Sequence, residues 1–395
     1  MVWFRVKSLS WMQGVRNRPP FAASRMRDAQ EDLDFAVKAC LRFGARPPRF
    51  LPENPLSSFE DLPQPAADPD LPGPGAVGLV LIGRNEGARL VRALEAATGQ
   101  ANRIVYVDSG SRDGSVTAAR AAGVAVVELD PACPFNAARG RNAGYAELMQ
   151  GDERPEFVQF IDGDCQLEPG WIERAVAHLH TGPGLGLVTG WRSEVAPEAS
   201  IYNRICDHEW HRPAGPITTC GGDMMVRATA FEQVGGFDET VIAAEDDEFC
   251  LRLAGKGWRL ERLPSPMTRH DAGMTRFSEW WRRAERAGHG FAQVGRMHPG
   301  HFRAERRRVI VFGLLLPLLA LSGIWFAPAL LLASALYALS FLRAWQGLRR
   351  DGLPVVEAAH QALFLVASKF PNLVGMIRYA AHRLRRHAPR IIEYQ

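Results

Sequence analysis

Acidic residues at the ends of apolar runs carry the chemistry that this sequence can perform. Asp108 and Asp113 lie in VDSGSRDGS, where small residues would let a ligand approach the backbone, although Asp113 could equally cap the next helix. Asp162 and Asp164 in FIDGDC flank one glycine directly after another apolar run. Two carboxylates in such a tight turn offer hard oxygen ligands to Mg²⁺ or Mn²⁺ that carries substrate phosphates. The pattern therefore predicts a divalent-metal site at 162–164.

Two further features extend this set. Four consecutive acidic residues, 245–248, open a segment with helical spacing that stops at Gly255 and Gly257. Acidic residues at a helix N-terminus usually complement the macrodipole, but four exceed that need and predict a catalytic carboxylate. His270 follows a predicted strand at 258–263 and could complete a metal site begun by the aspartates.

Alternating strand and helix patterns position these residues. Apolar runs typical of buried strands alternate with segments of helical spacing. The strands are predicted at 77–82, 103–108, 124–129 and 157–162. The helices are predicted after 83, at 113–122, near 137–149 and after Pro169. This order predicts an α/β fold with a doubly wound, mostly parallel sheet, in which ligands bind at the carboxyl ends of the strands. We place this catalytic domain at 76–275.

Composition excludes several classes of protein. The 395 residues are 47% hydrophobic and 23% charged, as in globular proteins, and a mean hydropathy of −0.14 argues against a polytopic transporter. Six cysteines without a CxxC pair predict reduced thiols in the cytosol rather than a zinc or redox site, and the N-terminus shows no secretory signal. Residues 1–75 are predicted to be an extension, with a helix around Ala29–Phe43 and a proline-rich linker.

The C-terminal third suggests a membrane. Residues 309–342 contain no charged residue or histidine and split near Gly323–Pro328, which predicts a transmembrane hairpin of two short spans with basic flanks on the cytoplasmic side. Residues 276–308 are predicted to be an amphipathic interfacial helix, and 343–395 a basic interfacial region. The net charge of +4 is thus the sum of a predicted acidic cleft and an arginine-rich C-terminal third, and the latter suits anionic lipid.

In this arrangement the sequence resembles the membrane-associated bacterial type of glycosyltransferase family 2, the inverting family with the GT-A fold. Eight motifs occur in the family's order: LIGRNE, VDSGSRDGS, ARGRNAG, DGD, GGDMMVR, VGGFDE, EDDEFCLRL and the histidine at 270. The resemblance implies a nucleotide-sugar donor, Mg²⁺ or Mn²⁺ as cofactor, and one catalytic carboxylate at the start of the late helix.

The resemblance also implies a role for individual residues. Asp246 would be the general base. The donor nucleotide would be contacted by Asn85, Glu86, Asp108, Asp113, Asp162 and Arg141, with the choice between Arg139 and Arg141 left open. The metal would be held by Asp164, Asp162 and His270, and the acceptor side would be formed by Gly222, Asp223 and Glu245.

The predicted function is that of a metal-dependent, inverting glycosyltransferase of the hexosyltransferase type. Met297 stands where processive synthases of the superfamily carry a tryptophan, which favours transfer of a single sugar. The expected acceptor is lipid-linked or membrane-proximal, in envelope or exopolysaccharide synthesis, at the inner membrane with the catalytic domain on the cytoplasmic face and without nucleic acid as a partner. A sugar nucleotidyltransferase and an inactive GT-A scaffold are the alternatives, and donor, acceptor, linkage and oligomeric state are not predicted.

Overall fold

A computed structural model describes residues 77–101 and 103–385 of the chain. The predicted extension at 1–75, with its helix around Ala29–Phe43, lies outside the described residues. The last ten residues of the predicted interfacial region at 343–395 lie outside them too.

A mixed sheet forms the core of the catalytic region. Its strands in the described residues are β1 Val77–Gly83, β2 Arg103–Asp108, β3 Ala125–Glu128, β4 Phe157–Asp162, β5 Cys165–Leu167, β6 Leu185–Glu194, β7 Gly215–Pro216, β8 Met224–Arg227 and β9 Arg259–His270. Their order is β3-β2-β1-β4-β8-β6-β9-β5, with β7 paired to β9. The first four neighbours run parallel, β8 is antiparallel to β4 and β6, and β6 is parallel to β9.

Helices cover both faces of this sheet and continue beyond it. Those of the catalytic region are α1 Ala88–Ala97, α2 Ser115–Ala121, α3 Ala137–Leu148, α4 Trp171–His180, α5 Ile201–Trp210, α6 Ala228–Gln233 and α7 Glu245–Gly255. Those after it are α8 Phe277–Met297, α9 Arg303–Ile310, α10 Leu316–Ser322, α11 Ala327–Arg350, α12 Val355–Ala367 and α13 Lys369–Leu384, with a π-helical turn at Val311–Leu315 between α9 and α10.

The predicted α/β class is confirmed. Strands β2 and β4 have the predicted bounds, because apolar residues along β1, β2 and β4 are buried on both faces of the sheet. Two hydrophobic clusters form the layers, one around Leu79, Tyr106 and Trp171, and the other around Val80, Phe160 and Phe249. Parallel strands flanked by helices on each side place the carboxyl ends of β1, β2 and β4 at one edge.

The second half of the sheet differs from the pattern in the sequence. Strand β6 is not apparent from the sequence because glycines interrupt its apolar residues, and a Cβ at Gly190 would lie 2.6 Å from the carbonyl oxygen of Ser265. Strand β9 continues to His270 instead of stopping at 263. Pro264 and Pro266 are tolerated because the β6–β9 ladder shifts register around Trp191, where their missing N–H groups cost little.

The C-terminal region consists of helices with exposed apolar side chains. A turn at 323–326 separates α10 from α11, within the segment where the sequence predicts the split. Ile324, Trp325 and Phe326 at this tip are 63–84% exposed. Helix α11 is long and apolar enough to cross a membrane, with only 11% of its most apolar window buried. The predicted interfacial helix at 276–308 is divided into α8 and α9 by a loop at 298–302.

Candidate active site

Two loops at the carboxyl ends of β1 and β2 form the first wall of the cleft. Asn85 adopts a left-handed backbone with φ 56°, and its side-chain Oδ1 accepts a hydrogen bond from Arg112 N at 2.8 Å. Its own backbone N–H donates to Ser111 Oγ at 2.8 Å. Asn85 is exposed and therefore joins the two loops while remaining at the mouth of the cleft.

The two aspartates of the second loop have different environments. Asp108 is buried and accepts hydrogen bonds from the Tyr106 hydroxyl at 3.0 Å and from the backbone N–H groups of Gly110 and Ser111, each at 2.8 Å. Asp113 is exposed, and its Oδ1 accepts from the backbone N–H and the hydroxyl of Ser115 at the start of α2. Asp108 thus shapes the loop, and Asp113 accepts hydrogen bonds at the start of α2. The contacts of both residues with the donor nucleotide stay predictions.

Four potential metal ligands meet where β4 and β9 end and β5 begins. One ligand atom from each of Asp162, Asp164, Cys165 and His270 lies within 4.8 Å of the others. Antiparallel pairing of β5 with β9 sets Cys165 opposite His270, which brings Nε2 of His270 to 3.4 Å from Oδ2 of Asp164. Two carboxylates and an imidazole suit Mg²⁺ or Mn²⁺, so the predicted ligands fit a divalent cation.

The electrostatics of this cluster also suit a cation. Burial and the neighbouring charge of Asp162 raise the pKa of Asp164 to about 7, and burial with the charge of Asp164 raises the pKa of Glu86 to about 7. Burial and the positive charge of Arg192 lower the pKa of His270 to about 3, so its imidazole is neutral, as a metal ligand must be. Its Nδ1 is buried and without a hydrogen-bond partner in the described part of the chain.

Arg141 connects the metal cluster to the start of α7. Its guanidinium is 2% exposed and donates to Glu245 Oε1 at 2.7 Å and to Asp162 Oδ1 at 2.9 Å. Although burial opposes the charge of Asp162, Arg141 and Arg192 hold the pKa of that carboxyl below its usual range. A Cβ at Gly222 would overlap Nη2 of Arg141, so a side chain at this position would have to displace the guanidinium.

The two arginines of α3 lie in different surroundings. Arg139 faces away and donates to the backbone carbonyls of Asp130 and Cys133, each at 3.0 Å, whereas Arg141 lies in the cleft. The contact of Arg141 with the base or a phosphate of the donor stays a prediction.

Asp223 lies beneath the cleft rather than on its surface. It is 1% exposed, its Oδ1 is 2.7 Å from Arg192 Nη2, and its Oδ2 accepts from the Thr268 hydroxyl at 2.6 Å. Asp223 therefore holds Arg192 beside Asp162, at 3.8 Å. Its predicted acceptor-side role would be exerted through these partners.

The four acidic residues of α7 have four different environments. Glu245 pairs with Arg141, Asp247 pairs with His301 at 3.5 Å, and Glu248 pairs with Arg252 at 2.7 Å. Asp246 forms no ion pair among the described residues; its Oδ1 accepts a hydrogen bond from Asp247 N, and its Oδ2 lies near Gly221. Asp246 is thus the carboxylate of this run that is left for chemistry.

The surroundings of Asp246 favour proton uptake. Burial and the negative charges of Glu245 and Asp247 raise its pKa well above the usual range of an aspartate. These effects outweigh the helix dipole, which would stabilise the ionised form. A carboxylate of raised pKa in a cleft is suited to act as a general base.

Sequence patterns did not indicate every residue of the cleft. Arg192 lies in β6, the strand that is not apparent from the sequence. Trp210 is the last residue of α5; its ring is 4.7 Å from that of His270 and lies beneath the Arg192 guanidinium. Cys165 adds a thiol to the metal cluster. Of Arg192, Trp210 and Cys165, only Cys165 has a signal in the sequence, because it directly follows the DGD motif.

Known proteins match this chain over most of the described region. The family model described as glycosyl transferase family 2 matches residues 79–233, and the model described as glycosyl transferase family group 2 matches residues 157–367. The N-acetylglucosaminyl-diphospho-decaprenol L-rhamnosyltransferase of Mycobacterium tuberculosis is 26% identical over 315 residues, which cover 69% of this chain and 94% of the relative.

Other relatives match shorter stretches. The pre-mycofactocin glycosyltransferase of Mycobacterium tuberculosis is 27% identical over 172 residues, which cover 41% of this chain and 35% of the relative, so the chain spans about a third of that relative's length. Among solved structures, a mannosyltransferase, PcManGT from Pyrobaculum calidifontis in complex with GDP-Man and Mn²⁺, is similar with a TM-score of 0.49 and 19% identity, covering 75% of this chain and 87% of that one.

Proposed function

Because the chain belongs to glycosyltransferase family 2, we propose that it transfers a single sugar from a nucleotide-diphosphate sugar to a hydroxyl group of a lipid-linked or membrane-proximal acceptor. The transfer inverts the anomeric carbon and serves envelope or exopolysaccharide synthesis. One observation carries the proposal: Asp246, of raised pKa, directly follows Glu245, which is linked through Arg141 to Asp162 of the metal cluster.

The reaction is a single displacement. Asp246 takes the proton of the acceptor hydroxyl as its oxygen attacks the anomeric carbon on the face opposite the leaving group. Asp162, Asp164 and His270 would hold Mg²⁺ or Mn²⁺, which when bound stabilises negative charge on a diphosphate. Since the nucleoside diphosphate leaves as an anion, no second carboxyl group has to protonate it, unlike in a glycosidase.

The remaining residues bind and orient the substrates. Asn85 and Asp113, exposed at the mouth of the cleft, contact the nucleoside together with Glu86, while Asp108 holds their loop. Gly222, Asp223 and Glu245 form the acceptor side. Gly222 leaves room for Arg141, and Glu245 orients the same guanidinium.

Membrane association is supported by exposed apolar surface. Helix α11 is largely unburied, and α12 and α13 expose an apolar residue every seven positions, at Val356, Leu363, Phe370, Ile377 and Leu384. Exposed apolar area of this extent marks an interaction surface, and arginines flank it at 303–308 and 343–350. We place this surface on the cytoplasmic face of the inner membrane, next to a lipid-linked acceptor.

A donor screen followed by product analysis tests the function. UDP-, GDP-, dTDP- and CMP-sugars are added with Mn²⁺, and the bound donor is identified by its rise in Tm. We expect NMR of the product to show an inverted anomeric configuration and expect the nucleotide to be released. Release of pyrophosphate would support a sugar nucleotidyltransferase instead, and binding without transfer would support an inactive scaffold.

A further inference from the structure

The loop at 298–302, which joins α8 to α9, contacts the first turn of the helix that carries Asp246. His298 Nε2 lies 3.2 Å from Glu248 Oε1, and His301 Nε2 lies 3.5 Å from Asp247 Oδ1. Two histidines outside the catalytic region thus reach the two carboxylates that directly follow the proposed base.

Asp247 depends on this contact more than Glu248 does. It is 1% exposed, and neither carboxylate oxygen has a hydrogen-bond partner in the described residues. The ion pair with His301 is the one that Asp247 makes there, whereas Glu248 also pairs with Arg252. A buried carboxylate without hydrogen bonds is costly unless polar or charged groups lie beside it. The imidazole of His301 lies against Asp247, and the charge of Arg212 also acts on this carboxylate.

The same region also holds the backbone that leads into α7. Ala244, the residue before the helix, has φ 60°, a strained conformation for a residue with a side chain. Gln293 of α8 donates through Nε2 to the carbonyl of Thr240 at 2.7 Å. Gly290 packs so closely that a Cβ there would lie 3.0 Å from Cβ of Ala244.

Phe302 anchors the loop against this turn. It has φ 52°, is 1% exposed, and belongs to a small hydrophobic cluster with Val241, Phe291 and Val309, against which Ala244 packs. One packed unit therefore contains the strained turn at Ala244, the loop at 298–302 and Val309, where the predicted hairpin begins.

We propose that His301 is a positioning residue for catalysis: through its ion pair with Asp247 it fixes the first turn of α7, and with it the carboxylate of Asp246. This rests on the proposed function. The C-terminal helices are then part of the catalytic apparatus as well as the membrane surface.

Enzyme kinetics of two variants test this role. His301→Ala lowers kcat by about 10- to 100-fold, because a displacement of about 1 Å of a catalytic group can cost that much. The KM for the donor and the dissociation constant of its nucleotide change far less than kcat, since Asp164 and His270 of the metal cluster lie outside α7. His178→Ala, which breaks the half-buried His178–Glu261 pair away from the cleft residues, is the matched control and keeps wild-type kcat.

A double variant separates positioning from general damage to the fold. His301→Ala with Asp247→Asn recovers part of the lost kcat, because removing both members of a buried pair leaves no uncompensated charge. Wild-type kcat in His301→Ala, or no recovery in the double variant, would overturn the proposal. If His301→Ala does not fold, His301→Asn takes its place in the same comparison.

These experiments distinguish a failure of the positioning role from a failure of the proposed function. If the wild-type chain transfers no sugar from any nucleotide sugar, the function itself is wrong. If the wild type transfers sugar and His301→Ala does so equally well, only the positioning role is wrong.

Discussion

At the scale of single residues, the proposed role of Asp246 as general base predicts the pH dependence of transfer. A general base must be ionised, so kcat falls as the pH falls through the pKa of Asp246, and burial with the charges of Glu245 and Asp247 places that fall above the usual aspartate range. We expect a pH profile of kcat to show this acid limb. Asp247→Asn should shift the limb to lower pH by removing one negative neighbour.

A surface variant is the control for this profile. Glu198 is 89% exposed in its side chain, and Glu198→Gln should leave the limb in place. An acid limb at the value of an ordinary aspartate in the wild-type protein would contradict the account of Asp246.

Sequence patterns indicated the site residues that sit in short, dense motifs. Asp162, Asp164 and Asp246 could be found because each follows a clear apolar run or opens a clear helix. Arg192 and Trp210 could not, because nothing local distinguishes an arginine in a glycine-interrupted strand or a tryptophan at the end of a helix. Their roles arise from tertiary packing around His270.

At the scale of elements, the same contrast divides the sheet. The β1–β4 half could be predicted because parallel strands buried on both faces read as continuous apolar runs. The other half could not, since β5 and β8 have only three and four residues. Their pairing also depends on close glycine contacts and register shifts, which a sequence does not display.

The packing of α8 against α13 is tight enough to test by one substitution. A Cβ at Gly375 of α13 would overlap the carbonyl oxygen of Glu285, and a Cβ at Gly288 of α8 would overlap the backbone of Asn372. We expect Gly375→Ala to separate the helices and lower the free energy of unfolding by about 1–3 kcal/mol, as overpacking does.

Thermal or denaturant unfolding measures this effect. Gly300→Ala is the matched control, because a Cβ there meets no atom within 4 Å, and its stability should stay near that of the wild type. Equal stabilities of the two variants would show that α8 and α13 are not in this close contact.

At the scale of the whole molecule, the exposed hairpin predicts binding to lipid. Trp325 and Phe326 at its tip are exposed, and a charged residue there opposes entry into the bilayer, where an aspartate costs up to about 2.5–3.5 kcal/mol. We expect Trp325→Asp with Phe326→Asp to weaken cosedimentation with vesicles of phosphatidylethanolamine and phosphatidylglycerol. Val91→Asp, on an exposed position of α1, should bind like the wild type, and equal binding by all three proteins would contradict a membrane role for the tip.

The rate of sugar transfer by Asp246→Asn tests the role of Asp246 as general base most directly. Asparagine keeps the size of the side chain but cannot take a proton, so we predict a loss of kcat of at least about 100-fold, the usual contribution of general base catalysis. The dissociation constant of the donor nucleotide with Mn²⁺ should not change, because Asp162, Asp164 and His270 remain. Transfer at the wild-type rate by Asp246→Asn would contradict the assignment of Asp246 as the general base.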